Sequence, residues 1–268
     1  MAKPKTRIPP QRTKTTKTTP GTATVCIAFI HPGTTSAYFT TSLLMSVLSD
    51  RATARRIVGL KNEWSSANIS ASRNSLTAQF LDDTDADWLW WIDADMAWDA
   101  TALERLLAVA DPIKAPIVGG LCFGALHDEL FPTIYQLAEV DGGLTTVRVH
   151  DYPRDAMVQC AATGAAFLLI HRDALTAIRA QGFNATFPWF QETEMSGKPV
   201  GEDITFCLRA KQLGIPVWVH TGVRVGHHKS TLLTEERFIA QLESEPVDGS
   251  ERIATRSTRA RRPPEPDL

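Results

Sequence analysis

No apolar run in this sequence approaches the roughly 18 residues that a membrane-spanning helix requires, so a transmembrane segment is not expected. Cysteine is scarce. Cys26, Cys122, Cys160 and Cys207 are the only four, none in a CxxC pair and none beside a histidine. That excludes a thiolate metal cluster and a disulfide scaffold. Each lies in an apolar run, which predicts buried free thiols and a reducing, cytoplasmic setting. Acid is missing from the start of the chain, where the first carboxylate is Asp50. The apolar run there, VCIAFI, is too short for the h-region of a signal peptide, although the missing acids leave an organelle transit segment open.

What is present is ordinary globular material. The chain has 268 residues, 43% hydrophobic and 22% charged, with a formal net charge of -2. That total hides unlike parts. Residues 1–20 carry Lys3, Lys5, Arg7, Arg12, Lys14 and Lys17 without an acid, a charge of +6. Residues 251–268 add +2, which leaves -10 on the body between them. The polar, basic start cannot bury enough surface to offset its chain entropy. The expected organisation is a disordered basic tail over 1–22, a single folded domain over 23–243 and a flexible C-terminal tail over 244–268.

Within the body, short apolar runs alternate with helical spacing. VCIAFI (25–30), RRIVGL (55–60), Trp88–Ile92 and APIVGGLCF (115–123) read as buried strands. Between them, Phe39, Leu43, Leu44, Val47 and Leu48 recur at helical spacing. Residues 70–81 form a second helical stretch, and Leu103, Leu106, Leu107 and Ala110 mark one face of a third. Thr101 and Glu104 stand at capping-box spacing. This β-α-β-α-β-α-β order predicts a mostly parallel sheet flanked by helices, with ligands at the carboxyl ends of its strands. The pattern then becomes mixed. TIYQLAEV and LTTVRVH flank Asp141-Gly142-Gly143, a hairpin signal. AAFLLI (165–170) is another strand, residues 202–213 a helix, and PVWVH (216–220) the strand that closes the sheet.

The most informative segment is DWLWWIDADM, residues 87–96. An apolar strand runs directly into Asp93-Ala94-Asp95. Two carboxylates so placed can share a hard cation such as Mg²⁺ or Mn²⁺, which would neutralise charge on a departing diphosphate. A solvated turn with a helix cap is the plainer alternative. Downstream, Glu202 and Asp203 open a helix, where the dipole favours negative charge. They also stand where a base or acceptor-binding carboxylate would face the same pocket. His227 and His228 follow the last strand, and an imidazole there would complete a metal site begun by Asp95.

Taken in order, these segments resemble the GT-A glycosyltransferases, close to the family-2-like enzymes of phage and bacterial genomes. The matching stretches are SASRNSLTAQFL, WLWWIDADM, IVGGLCFG, ATGAAFLLIHRDAL, PWF before GEDITFCLRAKQLG, and VRVGHH, colinear over about residues 24–230. The resemblance implies a GT-A fold, a nucleotide-diphosphate sugar as donor, Mn²⁺ or Mg²⁺, and transfer of a sugar, expectedly a hexose. Asp95 and His227 would ligate the metal, with His228 the alternative to His227. Asp93 would contact ribose, sugar or metal. Arg73, beside Asn74, would contact the nucleotide or its phosphates as a planar charged fork. His31, Pro32 and Gly33 follow strand one, where the family's nucleotide base rests. Gly119 and Gly120 would let backbone approach the donor sugar, with a strand-end turn as the alternative, and Gly164 would line the acceptor side. Asp203 is the candidate base for an inverting reaction, and Glu202 its support or an acceptor ligand. Trp189 and Phe190 would stack on a sugar or serve as core.

The sequence departs from that family in Trp88, Trp90 and Trp91, bulkier than the usual aliphatics, and in HPGTTSAYF, which lacks the acid many members use for the base. The acceptor class stays open among protein, glycan and modified nucleobase, with nucleic acid a partner for the basic N-terminal tail. A haloacid-dehalogenase-type phosphatase also uses Asp-x-Asp, but on the first strand of its domain. A non-catalytic nucleotide- or sugar-binding module and a nucleotidyltransferase are the remaining readings, the latter lacking a Gly-rich basic loop after strand one.

Overall fold

The computed structural model describes residues 23–65, 67–126, 129–140 and 142–230, together with 235 and 239. Both expected tails, 1–22 and 244–268, lie outside the described residues, as does Asp141 of the hairpin signal. One compact unit spans Met1–His228 and a second Lys229–Leu268.

In chain order the elements are β1 (Val25–His31), α1 (Ala37–Ala52), β2 (Ile57–Trp64), α2 (Ile69–Asp83), β3 (Trp88–Ile92), β4 (Met96–Ala97), α3 (Ala102–Val109), β5 (Ile117–Leu121), β6 (Phe123–Leu126) and β7 (Glu129–Pro132). Then follow β8 (Ile134–Val140), β9 (Gly143–Arg148), β10 (Met157–Cys160), β11 (Ala162–Thr163), β12 (Phe167–His171), α4 (Arg172–Gln181), β13 (Thr193–Met195), β14 (Lys198–Val200), α5 (Glu202–Gln212), β15 (Val217–Arg224) and β16 (Gly226–His227).

Seven strands form the main sheet in the order β10-β15-β5-β12-β3-β1-β2. β1 runs parallel to β2 and β3, and β5 parallel to β15. β12 enters antiparallel between β3 and β5, so those two still share a direction. The sheet is therefore mostly parallel with two reversed strands, β12 and β10. β10, not PVWVH, closes that edge of the sheet. The central strands are buried on both faces, which explains why VCIAFI and WLWWI read as continuous apolar runs. One face packs Leu76, Phe80, Trp91, Ile170 and Phe206 under α2, α4 and α5. The other packs Ile27, Phe39, Trp90, Leu106 and Phe167 under α1 and α3.

Local chemistry moves several boundaries. The second strand starts at Ile57 rather than Arg55, because Arg55 takes φ 52° and the Asp50 carboxylate accepts from the N–H groups of both Arg56 and Ile57. The fourth run breaks at Cys122 into β5 and β6. The capping box at α3 does not form: Thr101 makes no cap bond, and its N–H and hydroxyl instead donate to Asp99. In α1, Ser42 and Ser46 turn inward. The Ser42 hydroxyl accepts from the Trp98 backbone N–H and Ser46 from the Trp98 indole, while Leu44 and Leu48 point outward. All four cysteines are free and buried. Burial pushes the Cys160 thiol up to about 12. No helix among the described residues is long and apolar enough to cross a membrane.

Gly119 and Gly120 sit inside this sheet. A Cβ on Gly120 would lie 2.8 Å from Val225, 2.9 Å from the Phe167 ring and 3.1 Å from the Val223 carbonyl, and one on Gly119 would lie 3.1 Å from Leu168. Their surroundings are protein, and close strand packing accounts for both. Gly120→Ala is expected to destabilise the chain by about 1–3 kcal/mol, the usual range for overpacking, which chemical denaturation would read directly.

Candidate active site

The acidic turn lies at the carboxyl end of β3, in the middle of the sheet. It is pinned from three sides. The Asp93 N–H donates to the Ala166 carbonyl, Ser36 N–H to Ala94, and His228 N–H to the Asp95 carbonyl. The loop after β1, the start of β12 and the end of β16 therefore all fix where the two carboxylates stand.

Asp93 is held by Arg73. Arg73 Nη2 donates to both Asp93 oxygens at 3.0 Å, and the Trp91 indole donates to Oδ1 at 3.2 Å. The same guanidinium donates from Nη1 to the Ala165 carbonyl at 3.2 Å and places Nε 3.4 Å from Glu202 Oε1. It lies 5.1 Å from the Trp91 ring centre and 5.6 Å from that of Phe190. With 5% exposure, Arg73 is an internal clamp between α2, β3 and α5. Asn74 is likewise internal. Its amide donates to the Ser70 and Phe190 carbonyls, and its oxygen accepts from Trp189 and Phe190 N–H. Asn74 thus fixes the PWF loop, and Trp189 and Phe190, each 1% exposed, are core.

Asp95 meets a residue far away in sequence. Its Oδ2 lies 3.0 Å from His227 Nε2, and His227 Nδ1 lies 2.9 Å from the Phe123 carbonyl. The pairing of β16 with β4 sets His227 opposite Met96 and creates this meeting. The ring of the neighbouring His228 instead lies 5.4 Å from that of Tyr38. With Nδ1–H on a backbone carbonyl, His227 presents Nε2 toward the carboxylate, the orientation seen in metal-ligating histidines. Among the described residues no group of three or more His, Cys, Asp and Glu side chains forms a metal cage. Mg²⁺ and its like use one or two carboxylates and take the rest from phosphate and water; the Asp95 carboxylate fits that donor set, and the His227 imidazole favours a transition metal over Mg²⁺.

Glu202 and Asp203 open α5 without a side-chain cap. Burial, with Glu202 beside it, raises the Asp203 carboxyl to about 6, although the Ile204 N–H donating to its Oδ1 opposes the shift. Its other oxygen faces Gly164, where a Cβ would sit 3.6 Å away. Glu202 also borders a cavity of ≈ 500 Å³ lined by Asn68, Ser70, Phe187 and Gln191, within the size range of small-ligand sites.

The residues after β1 form a separate corner. The Gly33 N–H donates to His31 Nδ1, and His31 Nε2 lies 3.2 Å from Asn62 Oδ1. Gly33 has φ 97°, and a Cβ there would lie 2.6 Å from the Trp64 ring. Trp64 is 69% exposed, its ring centre 6.0 Å from that of His31. Pro32 is exposed beside them. Sequence reasoning missed Trp64, Asn62 and the Phe123 carbonyl. An aromatic at the last position of an edge strand was a signal for the first; the carbonyl leaves none.

The raised Asp203 has a consequence for stability. The folded chain holds this proton up to about 6, whereas an unfolded aspartate releases it near ~4. Between those values the folded state binds more protons, so stability falls as pH rises through the window. Asp203→Asn is expected to raise Tm at pH 7.5 by up to roughly 5–10 °C and to leave it nearly unchanged at pH 4. Equal shifts at both pH values would count against a destabilising buried charge.

No protein-family model matches the chain, and no curated protein matches it. Among solved structures it is similar to the crystal structure of A197 from STIV, at 15% identity over 77% of this chain and 86% of that one, with a TM-score of 0.49. It is also similar to GalNAc-T7 with UDP, GalNAc and Mn²⁺, at 12% identity over 76% of this chain and 44% of that one, again with a TM-score of 0.49.

Proposed function

We propose that the chain is a metal-dependent glycosyltransferase that moves a hexose from a nucleotide-diphosphate sugar to a hydroxyl of a protein, glycan or modified nucleobase in the cytoplasm. The observation that carries this reading is the meeting of Asp95 and His227 at 3.0 Å across 132 positions of sequence, at the carboxyl edge of a mostly parallel sheet. Such edges are where open α/β sheets bind their ligands.

Asp95 and His227 would hold Mn²⁺ or Mg²⁺, which when bound supplies positive charge to the diphosphate. The remaining steps fall to the chain itself. His31 and Gly33 offer a corner for the nucleotide base, with the exposed Trp64 ring as its face. Asp203 takes the proton from the acceptor hydroxyl as the oxygen bonds to the sugar's anomeric carbon and the nucleoside diphosphate leaves with the bonding pair. A carboxyl raised to about 6 is a better base than an exposed one yet is still ionised near neutrality. Glu202, held beside the guanidinium, keeps its carboxylate next to that base and orients the acceptor. Arg73 bonds Asp93 and lies 3.4 Å from Glu202, so one guanidinium links the β3 turn to the start of α5.

The test is turnover of a nucleotide-sugar panel with Mn²⁺, read by mass spectrometry. Asp95→Asn and His227→Ala are each expected to lower turnover by about 100-fold or more while the protein stays folded. No hydrolysis or transfer from any donor, despite clean Mn²⁺ binding, would overturn the proposal. In active protein, kcat/KM should fall below about pH 6 as Asp203 of the free chain is protonated, and Asp203→Asn should lower kcat by about 10²–10⁴-fold at every pH. An unchanged pH profile in that variant would remove Asp203 as the base.

A further inference from the structure

The body of the chain carries -10, yet one corner of it is basic. At the carboxyl ends of β5 and β15, a cavity of ≈ 280 Å³ is lined by Leu121, Phe123, Tyr152, Arg154, Thr221 and Arg224. Two of these are arginines and none is an acid. The volume is near the lower end of small-ligand sites, roughly 300–1,000 Å³.

The fold gathers both arginines. Val223 and Val225 pack under α1 and α3, so alternation turns Arg224 to the opposite face. Tyr152 packs on that face, and Arg224 pairs with Leu121 of β5. Arg154 comes from the loop between β9 and β10, which buried Thr221 ties down. The Thr221 hydroxyl donates to the Pro153 carbonyl at 2.6 Å and accepts from the Ala156 N–H at 3.0 Å, and the Thr221 N–H donates to the Ala156 carbonyl. Asp155 in this loop takes φ 49°, which a non-glycine residue keeps only where its surroundings over-determine it. Its carboxylate lies 3.7 Å from Arg224 Nη2 and 3.8 Å from Nη2 of Arg105 on α3, too far for hydrogen bonds. Among the described residues, Arg154 forms no ion pair, and neither Arg154 nor Arg224 donates a side-chain hydrogen bond. Their donors are left for a ligand.

We propose that this cavity is a subsite for the phosphate group of a phosphorylated glycan acceptor. The acceptor role rests on the glycosyltransferase reading; the phosphate site does not. Two forked cations from separate segments suit the several oxygens of a phosphate, whereas one guanidinium already fills a carboxylate. A nucleic acid would bring a row of phosphates to an acidic body that welcomes one of them only here. Phe123 and Tyr152 line the cavity beside the arginines, apolar surface that suits the C–H face of a sugar. Position says which reactant carries the phosphate. The sheet order places β1 and β2, with the His31 and Trp64 corner, on one side of β3, and β5 and β15 on the other. Asp95 lies 3.0 Å from His227, His227 lies 2.9 Å from the Phe123 carbonyl, and Phe123 lines the cavity. A nucleotide reaching from that corner to Asp95 and His227 spends its diphosphate there. An anion one residue further on belongs to the other reactant.

The experiment has two arms. In the first, inorganic phosphate is titrated into the ¹⁵N-labelled full chain and followed by NMR. Saturable millimolar binding is expected, as befits exposed cations, and about tenfold weaker binding in each of Arg154→Gln and Arg224→Gln. Both residues are exposed, so circular dichroism melts of the variants should match the parent. Hexose 6-phosphates should bind more tightly than inorganic phosphate, and phosphoserine and oligothymidylate should not. No saturable binding, binding unchanged in both variants, or a gain for phosphoserine or oligothymidylate instead overturns the proposal. In the second arm, hexose 6-phosphates and their unphosphorylated parents are offered with donor and Mn²⁺. A phosphorylated acceptor should show a KM about tenfold below that of its parent. Arg154→Gln should erase the difference and leave donor hydrolysis unchanged. Parent and phosphate used alike, or neither used while donor is hydrolysed, overturns the acceptor role. A preference for uronic-acid donors that Arg154→Gln removes puts the anion on the donor and overturns it too. Phosphate binding that both variants weaken, without turnover of any donor, would uphold the phosphate site and remove the glycosyltransferase reading together with the acceptor role.

Discussion

The carboxyl edge of the sheet depends on one buried cation. Arg73 holds Asp93, reaches Glu202 and ties the Ala165 carbonyl, while Trp91 and Phe190 flank its guanidinium. A guanidinium out of water survives only when its donors are met by charge and by carbonyl oxygen. Here three segments distant in sequence, 93, 165 and 202, each supply part of that. The clamp therefore does two things at once. It offsets part of the repulsion that Glu202 and Asp93 exert on the raised Asp203, and it links the β3 turn to the start of α5. Removing a partner from such a pair usually costs about 3–5 kcal/mol, because the charge left behind stays buried.

Arg73 also divides the acidic motif into unlike halves. Asp93 is spent on structure, held on both oxygens by the guanidinium and by the Trp91 indole. Asp95, two residues on, belongs to the other side of the turn and meets His227. Two carboxylates that look equivalent in sequence thus have different partners, because the turn at 94–95 breaks the strand alternation that would otherwise keep residues two apart on one side. The bulky tryptophans follow the same logic. Trp91 lies on the α2 side and helps hold Asp93, whereas Trp90 lies on the α1 and α3 side, edge-on to Trp98 and Phe167.

Much of this was legible in the sequence, and the part that was not has physical reasons. Strands buried on both faces announce themselves as apolar runs, so the places of β1, β3, β5, β12 and β15 could be read. Their pairing could not: a run such as AAFLLI has the same composition whichever way it enters the sheet, and β12 enters reversed. Glycine in a strand carries two meanings, close approach of a ligand or close approach of protein, and only the neighbours of Gly120 distinguish them. An Arg-Asn pair on a helix gives no hint of depth. Leucines at helical spacing gave the existence of α1 but not its orientation, because hydroxyls of Ser42 and Ser46 can satisfy a buried indole and amide as well as an apolar side chain fills space.

The net charge then takes on a local meaning. The body between the basic ends carries -10, and at the sheet edge Asp93, Glu202 and Asp203 stand around the buried guanidinium of Arg73, with Asp95 on the other side of the turn. Even with the Asp203 proton retained, the acids outnumber that cation. A diphosphate brought there unaided would meet repulsion in a low-dielectric setting, where charges act far more strongly than in water. In the proposed function, a divalent cation held by Asp95 and His227 would reverse the sign of that encounter. The same arrangement keeps Asp203 usable. Each positive charge added nearby favours its ionised form, so a bound divalent cation would shift Asp203 toward the ionised state that the proposed base needs.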